Sequence, residues 1–313
     1  MPAPYFWTTK ILLAKIEATY GVDPLPVAAS GILAKDVSLS PMEGGEAERD
    51  LETGFMGQEG SLPTELAMKL TYKVELVGSS AKGLPPEAGR LLRACGCAET
   101  IVATTSVIYN PVSPPNLDSI THYLWIGDTL YKLIGGRGNV VMRWPAQKIP
   151  YLEFTFMGLF LVPVEATRVT PNNNTFMKPE LPSSAKTPTF TINGTTLILR
   201  EASLDLANQL QGRFLIGSES IQITDRKELF AAQVEATPLA TFNPFALAQA
   251  ATYVPVVLVH GTADGRRSTL NIPSLQIRRM QGLQNNQNIK EWPLTGAPIA
   301  TLAGNDQWTL KFT

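Results

Sequence analysis

Leu66, Met68, Leu70, Tyr72, Val74 and Leu76 alternate with Ala67, Lys69, Thr71, Lys73 and Glu75. A period of two puts the first set on one face of an extended chain and the second on the other. One apolar and one largely polar face predicts a half-buried strand in an antiparallel sheet. Further strands are predicted over 32–39, 120–126, 130–134, 139–144 and 151–156. The 120–126 and 130–134 segments flank Gly127-Asp128, a short turn, and so read as a hairpin. Glycine and proline, 24 residues each, suit such a turn-rich β protein.

Helix signals are few. The run from Pro85 to Cys95 opens with two prolines fit for a first turn, and Gly96 can end it. Over 243–251, Asn243 can cap a helix and Pro244 can take its first position. Between 162 and 188 the character changes: Pro163, Pro171, Pro179, Pro182 and Pro188 mix with Asn172-Asn173-Asn174 and Ser183-Ser184, the composition of a linker. At about 150 residues per domain, 313 residues make about two domains. We therefore divide the chain into residues 1–168, a Pro/Asn-rich linker at 169–188, and residues 189–313.

Each side reads in the same order. On the N-terminal side a strand is followed by a long polar segment (41–63), the alternating strand, a short helix, a hairpin and a last strand pair. On the C-terminal side a strand (197–206) precedes a shorter polar segment (207–217), strands at 221–224 and 229–236, the 243–251 helix, a hairpin starting at 254–260 and turning at Asp264-Gly265, and strands at 269–277 and 289–294. Short words also rhyme. Val37-Ser38-Leu39-Ser40 matches Ala202-Ser203-Leu204-Asp205, and Thr155-Phe156-Met157-Gly158 matches Pro293-Leu294-Thr295-Gly296. The expected fold is mainly β: two tandem β-sandwich or barrel-like domains, each with one short flanking helix.

Several functions are disfavoured. Lys plus Arg number 26 against 27 for Asp plus Glu, without the basic excess of a protein that wraps nucleic acid. Cys95 and Cys97, the only cysteines, make no disulfide framework and lack a second ligand pair at zinc spacing. The start, Met1-Pro2-Ala3-Pro4-Tyr5-Phe6-Trp7, is not patterned as a signal peptide. The longest apolar stretch, 154–164, falls short of the roughly 20 residues of a membrane helix, so we expect a soluble protein with no membrane contact. His122 sits on a strand and His260 precedes Gly261, each without a nucleophile motif nearby, so both read as structural. Gly135-Gly136-Arg137-Gly138 lacks the ending of a phosphate loop and reads as a turn or bulge. No catalytic residue, cofactor or metal is assigned, and an enzyme is not expected.

The acidic segment from Met42 to Glu52 stands out. Loops of about 20 residues are uncommon in compact domains unless functional or disordered. Glu43, Glu46, Glu48, Arg49, Asp50 and Glu52 are therefore the candidate contact residues of an arm that reaches a partner. Residues 1–180 hold 15 basic and 18 acidic side chains, and residues 181–313 hold 11 and 9, signs that suit head-to-tail association. Charged residues make up 17% of the chain against the usual 25% or so, as expected where much surface is covered.

Lys15-Ile16-Glu17-Ala18-Thr19-Tyr20-Gly21-Val22-Asp23-Pro24 resembles the start of the major tail tube proteins of long-tailed bacteriophages. So do the run from Ile32 to Pro41, Glu48-Arg49, the block from Leu91 to Gly96, Tyr109-Asn110-Pro111-Val112-Ser113, Gly136-Arg137-Gly138-Asn139-Val140, and Phe154-Thr155-Phe156-Met157-Gly158-Leu159. The likeness covers most of the N-terminal half, and the C-terminal half looks like a diverged second copy. It implies a structural virion protein whose domains join edge to edge into rings that stack as a DNA conduit, made in the host cytoplasm. Six domains normally surround the lumen, so two per chain imply three chains in a pseudo-sixfold ring, with six chains as the alternative. Implied partners are further copies of the chain, a tape measure protein and phage DNA in the lumen, and tail terminator and tail-tip proteins. The acidic loop would reach an adjacent ring or subunit. A tail-tip or baseplate hub with two such domains is the alternative in the same setting. A carbohydrate-binding β-sandwich is the alternative of another class, but Trp125, Trp144, Trp292 and Trp308 sit in apolar runs and read as core or interface.

Overall fold

The computed structural model describes residues 5–313, so Met1 to Pro4, where the leader reading began, lie outside it. The N-terminal half contains β1 (Lys10–Ile16), β2 (Lys35–Glu48), β3 (Ser61–Glu75), α1 (Gly89–Ala94), β4 (Cys97–Val102) and β5 (Ser106–Pro111). It continues through β6 (Ile120–Ile126), β7 (Thr129–Pro145), β8 (Tyr151–Phe160) and the two-residue β9 (Val164–Glu165). The C-terminal half begins with β10 (Thr189–Ile192), β11 (Thr195–Thr196), β12 (Leu199–Asp205), β13 (Asn208–Leu215), β14 (Ser218–Arg226) and β15 (Leu229–Glu235). After α2 (Pro244–Gln249) come β16 (Tyr253–His260), β17 (Ser268–Ile277), β18 (Gln284–Asn286), β19 (Ile289–Pro298) and β20 (Thr309–Phe312). The protein is mainly β and β-sandwich-like, and every strand pairing between these elements is antiparallel.

The alternation that predicts β3 decides its faces. Met68, Leu70, Tyr72, Val74 and Leu76 are buried, whereas Lys69 is exposed and Thr71, Lys73 and Glu75 are half-buried. Each of these apolar side chains contributes about 1.5–3 kcal/mol by leaving water. The hairpin predicted at Gly127-Asp128 is formed by β6 and β7, with Ile126 opposite Thr129. β7 then runs straight through the glycine cluster for 17 residues. The register against β8 slips between Ile134 and Arg137, so the cluster is a bulge inside one strand. Gly135 makes that slip possible: its φ is +60°, and a Cβ there would lie 2.7 Å from the Tyr20 hydroxyl.

Both helices form, though shorter than expected. The first starts at Gly89, because Pro85 and Pro86 come before a turn over Glu87-Ala88, closed by the Gly89 N–H donating to the Pro86 carbonyl at 2.8 Å. The second starts at Pro244, with the Asn243 side chain accepting a bond from the Ala246 N–H at 3.0 Å. Two polar segments read as loops contain strands. About half of 41–63 is strand, residues 41–48 on β2 and 61–63 on β3, with residues 49–60 connecting them, and 207–217 is largely β13, paired with β14. Both were hidden by the same cause: their side chains are mostly exposed on both faces, so no apolar period marks them.

Strand pairing follows one order in each half. In the first it is β1–β6–β7–β8–β3–β2, and in the second β10–β16–β17–β19–β15–β12. The helix intervenes at the corresponding place, between β3 and β6 in one half and between β15 and β16 in the other. Gly158 on β8 stands opposite Met68 and Gly296 on β19 opposite Phe230, so the rhyme at 155–158 and 293–296 falls at the same place in the two strand orders. The rhyme at 37–40 is displaced by two residues, because Leu39 opposite Leu70 corresponds to Ala202 opposite Ala232.

The halves are bonded to each other directly. β12 pairs with β7, and β20 lies between β17 of its own half and β5 of the other. One buried cluster extends from Leu12 to Phe312 and includes Trp144, Trp292 and Trp308. The Pro-rich stretch between the halves is laid along both of them. Asn172 N–H donates to Ala28 at 2.8 Å, Gln147 N–H to Pro182 at 2.9 Å, and Gly261 N–H to Lys186 at 2.7 Å. No helix in the described residues is long and apolar enough to cross a membrane.

Candidate assembly interface

The last third of β7 outruns β6. Residues 141–143 bond β8 on one side, and on the other residues 141–145 receive β12, with Val141 opposite Asp205, Met142 opposite Leu204 and Arg143 opposite Ser203. Side chains lock this seam. Asn139 donates to the Asp205 carboxylate at 2.9 Å, and its Oδ1 accepts the Asn208 N–H at 2.9 Å. Leu206 N–H donates to the Val140 carbonyl at 3.2 Å.

Beyond the seam, the β13–β14 hairpin folds over the N-terminal half. The Asn208 amide donates to the carbonyls of Cys95 at 2.7 Å and Gly138 at 2.9 Å, and Arg226 donates to the Gly96 carbonyl at 2.8 Å. These donors satisfy carbonyls at the end of α1 that the helix itself leaves free. Arg137, only 9% exposed, donates to the Ile221 carbonyl at 2.8 Å and to Gln222 Oε1 at 2.5 Å, with Tyr20 under its guanidinium at 5.0 Å. Those carbonyl partners make burial of the charge tolerable.

The equal pairing order gives residues 141–143 and Ser203 of this seam counterparts. β18 corresponds to residues 141–143, because Gln284 opposite Glu291 matches Val141 opposite Glu153. Ser40 corresponds to Ser203, since they stand opposite Lys69 and Ala231. Among the described residues β18 pairs only with β19 and β2 only with β3, so both counterpart edges are unpaired there. Unpaired strand edges are templates for pairing with another chain.

The six candidate residues lie on the β2–β3 hairpin. Glu43, Glu46 and Glu48 are on β2 itself, and Arg49, Asp50 and Glu52 are in the 49–60 connection. Glu43 is half-buried and the other five are exposed. Glu46 accepts a bond from the Ser61 hydroxyl across the hairpin, and the Glu59 carboxylate accepts the Leu51 N–H at 2.7 Å. At the tip Phe55 is 88% exposed and Met56 wholly so. The sequence reading found the arm but neither edge, because an edge is defined by which strands come together in the folded chain.

The other side chains weighed as chemistry are built into the core. His122 Nε2 lies 2.8 Å from the Tyr72 hydroxyl, and burial pushes its pKa down to about 3, with the Arg90 charge adding to the effect. His260 bonds Thr187 at 3.0 Å and the Glu180 carbonyl at 3.2 Å, and burial lowers its pKa too. Cys95 and Cys97 are free and buried, and burial raises both thiols, that of Cys97 to about 12, far from the thiolate a reactive cysteine needs. Among the described residues no three His, Cys, Asp or Glu side chains are grouped to hold a metal ion. No family model matches this chain, and no curated protein does either.

Proposed function

We propose that this chain is a structural protein that joins copies of itself edge to edge into closed rings. The rings stack into a tube that conducts DNA, the bacteriophage tail tube role that the sequence resemblance implies. One observation carries the reading: the β12-on-β7 seam has a second half-set of edges, β2 and β18, facing outward and unpaired. Repeating the internal seam between chains sets β2 of one copy against β18 of the next. Such a contact is head to tail, and head-to-tail contacts close into rings when the rotation permits. With two equivalent units per chain, three chains give a pseudo-sixfold ring.

In this reading the tape measure protein and DNA occupy the lumen, and terminator and tip proteins cap the tube, within a virion. Net charge near zero suits a conduit, since a basic lumen would hold the phosphates passing through it. Electron microscopy and mass photometry of the purified chain test the proposal. Rings of three chains are expected, and Asn285→Pro with Ser40→Pro, which place a proline on each free edge, should leave monomers. A wild-type chain that stays monomeric across concentration and salt overturns it.

A further inference from the structure

The inner seam has a cover, the β13–β14 hairpin, and the outer seam has the parts for one. Arg137 stands opposite Met157 on β8, and the Arg278 N–H donates to the carbonyl of Thr295, the counterpart of Met157, at 2.8 Å. Arg278 is therefore the second copy of Arg137. Arg137 is buried by the hairpin laid over it, whereas Arg278 and Arg279 are exposed. The helix ends differ in the same way. Residues 94–97 at the end of α1 are all buried, but residues 249–253 at the end of α2 are all exposed, with Tyr253 at 56%.

From this pairing we infer that the α2–Arg278 face of each chain is the receptor for the β2–β3 hairpin of a second copy. The inference rests on the ring reading above and names the contact that locks the ring. The hairpins correspond rung by rung. Counted outward from the sheet, Glu48 opposite Ser61 holds the place that Gln211 opposite Gln222 holds in the other hairpin, and Gln222 is the side chain that Arg137 grips. Charge agrees with this occupant. From Met42 to Leu66 the arm carries Glu43, Glu46, Glu48, Asp50, Glu52, Glu59 and Glu65 against Arg49 alone, and Ser61, which takes the place of Gln222, has Glu48 opposite it and donates its hydroxyl to Glu46. The covering hairpin therefore needs no neutral glutamine: a carboxylate beside an arginine makes a stronger, charge-assisted bond.

Two full-length variants, Glu48→Cys and Arg278→Cys, are mixed and treated with a short bis-maleimide; the native thiols are buried. A covalent dimer is expected from the mixture and not from either variant alone. Charge reversal gives a second measure. Arg278→Glu with Arg279→Glu should raise the concentration needed for assembly at least tenfold, and Glu46→Lys with Glu48→Lys in a mixed partner should restore it. Far-UV spectra should match wild type, since all four positions are exposed. Rings that form normally without the cross-link, or that ignore the charge reversal, overturn this contact and leave the edge-pairing reading standing. A monomeric wild-type chain overturns both.

Discussion

His122 makes the fold acid-sensitive in a way that one substitution can isolate. Its ring is fully enclosed, 4.5 Å from the Phe156 ring centre and bonded to Tyr72, with Arg90 as the charge that opposes protonation. The folded group takes a proton only near pH 3, whereas in the unfolded chain it does so near 6.5. A depressed pKa contributes stability fully above the unfolded value and loses it as pH falls toward the folded one. Between pH 7 and pH 4 the unfolded state gains a proton over about 2.5 pH units that the folded state refuses. At about 1.4 kcal/mol per unit this is a loss of roughly 3 kcal/mol. His122→Gln keeps a neutral hydrogen-bonding side chain that cannot titrate. Urea unfolding of wild type and variant at pH 7, 5 and 4 measures the difference, with the remaining groups common to both. The variant should be the less stable at pH 7 and the gap should close by about 3 kcal/mol at pH 4. Parallel pH dependences for the two proteins would refute the reasoning.

Two further perturbations probe other parts of the fold. The Glu291 carboxylate takes bonds from Arg200, from Gln233 at 2.6 Å and from Asn286 at 2.9 Å, which hold its pKa down to about 2, Arg200 being the main cause. Its contribution is present above about pH 4.3 and lost as pH falls toward 2, so Glu291→Gln should flatten the acid limb of a stability curve over that window. Asn243→Ala removes the cap of α2 and should cost about 1 kcal/mol, read as a lower urea midpoint with an unchanged slope.

How much was legible depended on whether burial left a local period. β3 was readable because one face is dry and the other wet, the β6–β7 hairpin because Gly127-Asp128 marks its turn even though β6 is buried on both faces, and α2 because Asn-Pro sits at its cap. β1 escaped notice since Leu12, Leu13 and Ala14 are buried in succession, which erases alternation. β20 was too short to register at four residues, although Leu310 and Phe312 join the two halves through it. The arm was visible as an acidic run, but its strand pairing was not, because Gly44 to Glu48 all stay exposed within it. The seam and its outward counterparts are properties of non-local register, which only the folded chain displays.

β7 has a mechanical consequence. Its hydrogen bonds run across the strands, so drawing the two halves apart along β7 loads the five β12 rungs together, in shear. Drawing them apart sideways loads the rungs one after another, like a zip. The β7–β12 seam is therefore stiff along the strand direction and compliant across it, and a pulling experiment with handles on β7 and β12 should find a high rupture force on one axis and a low one on the other.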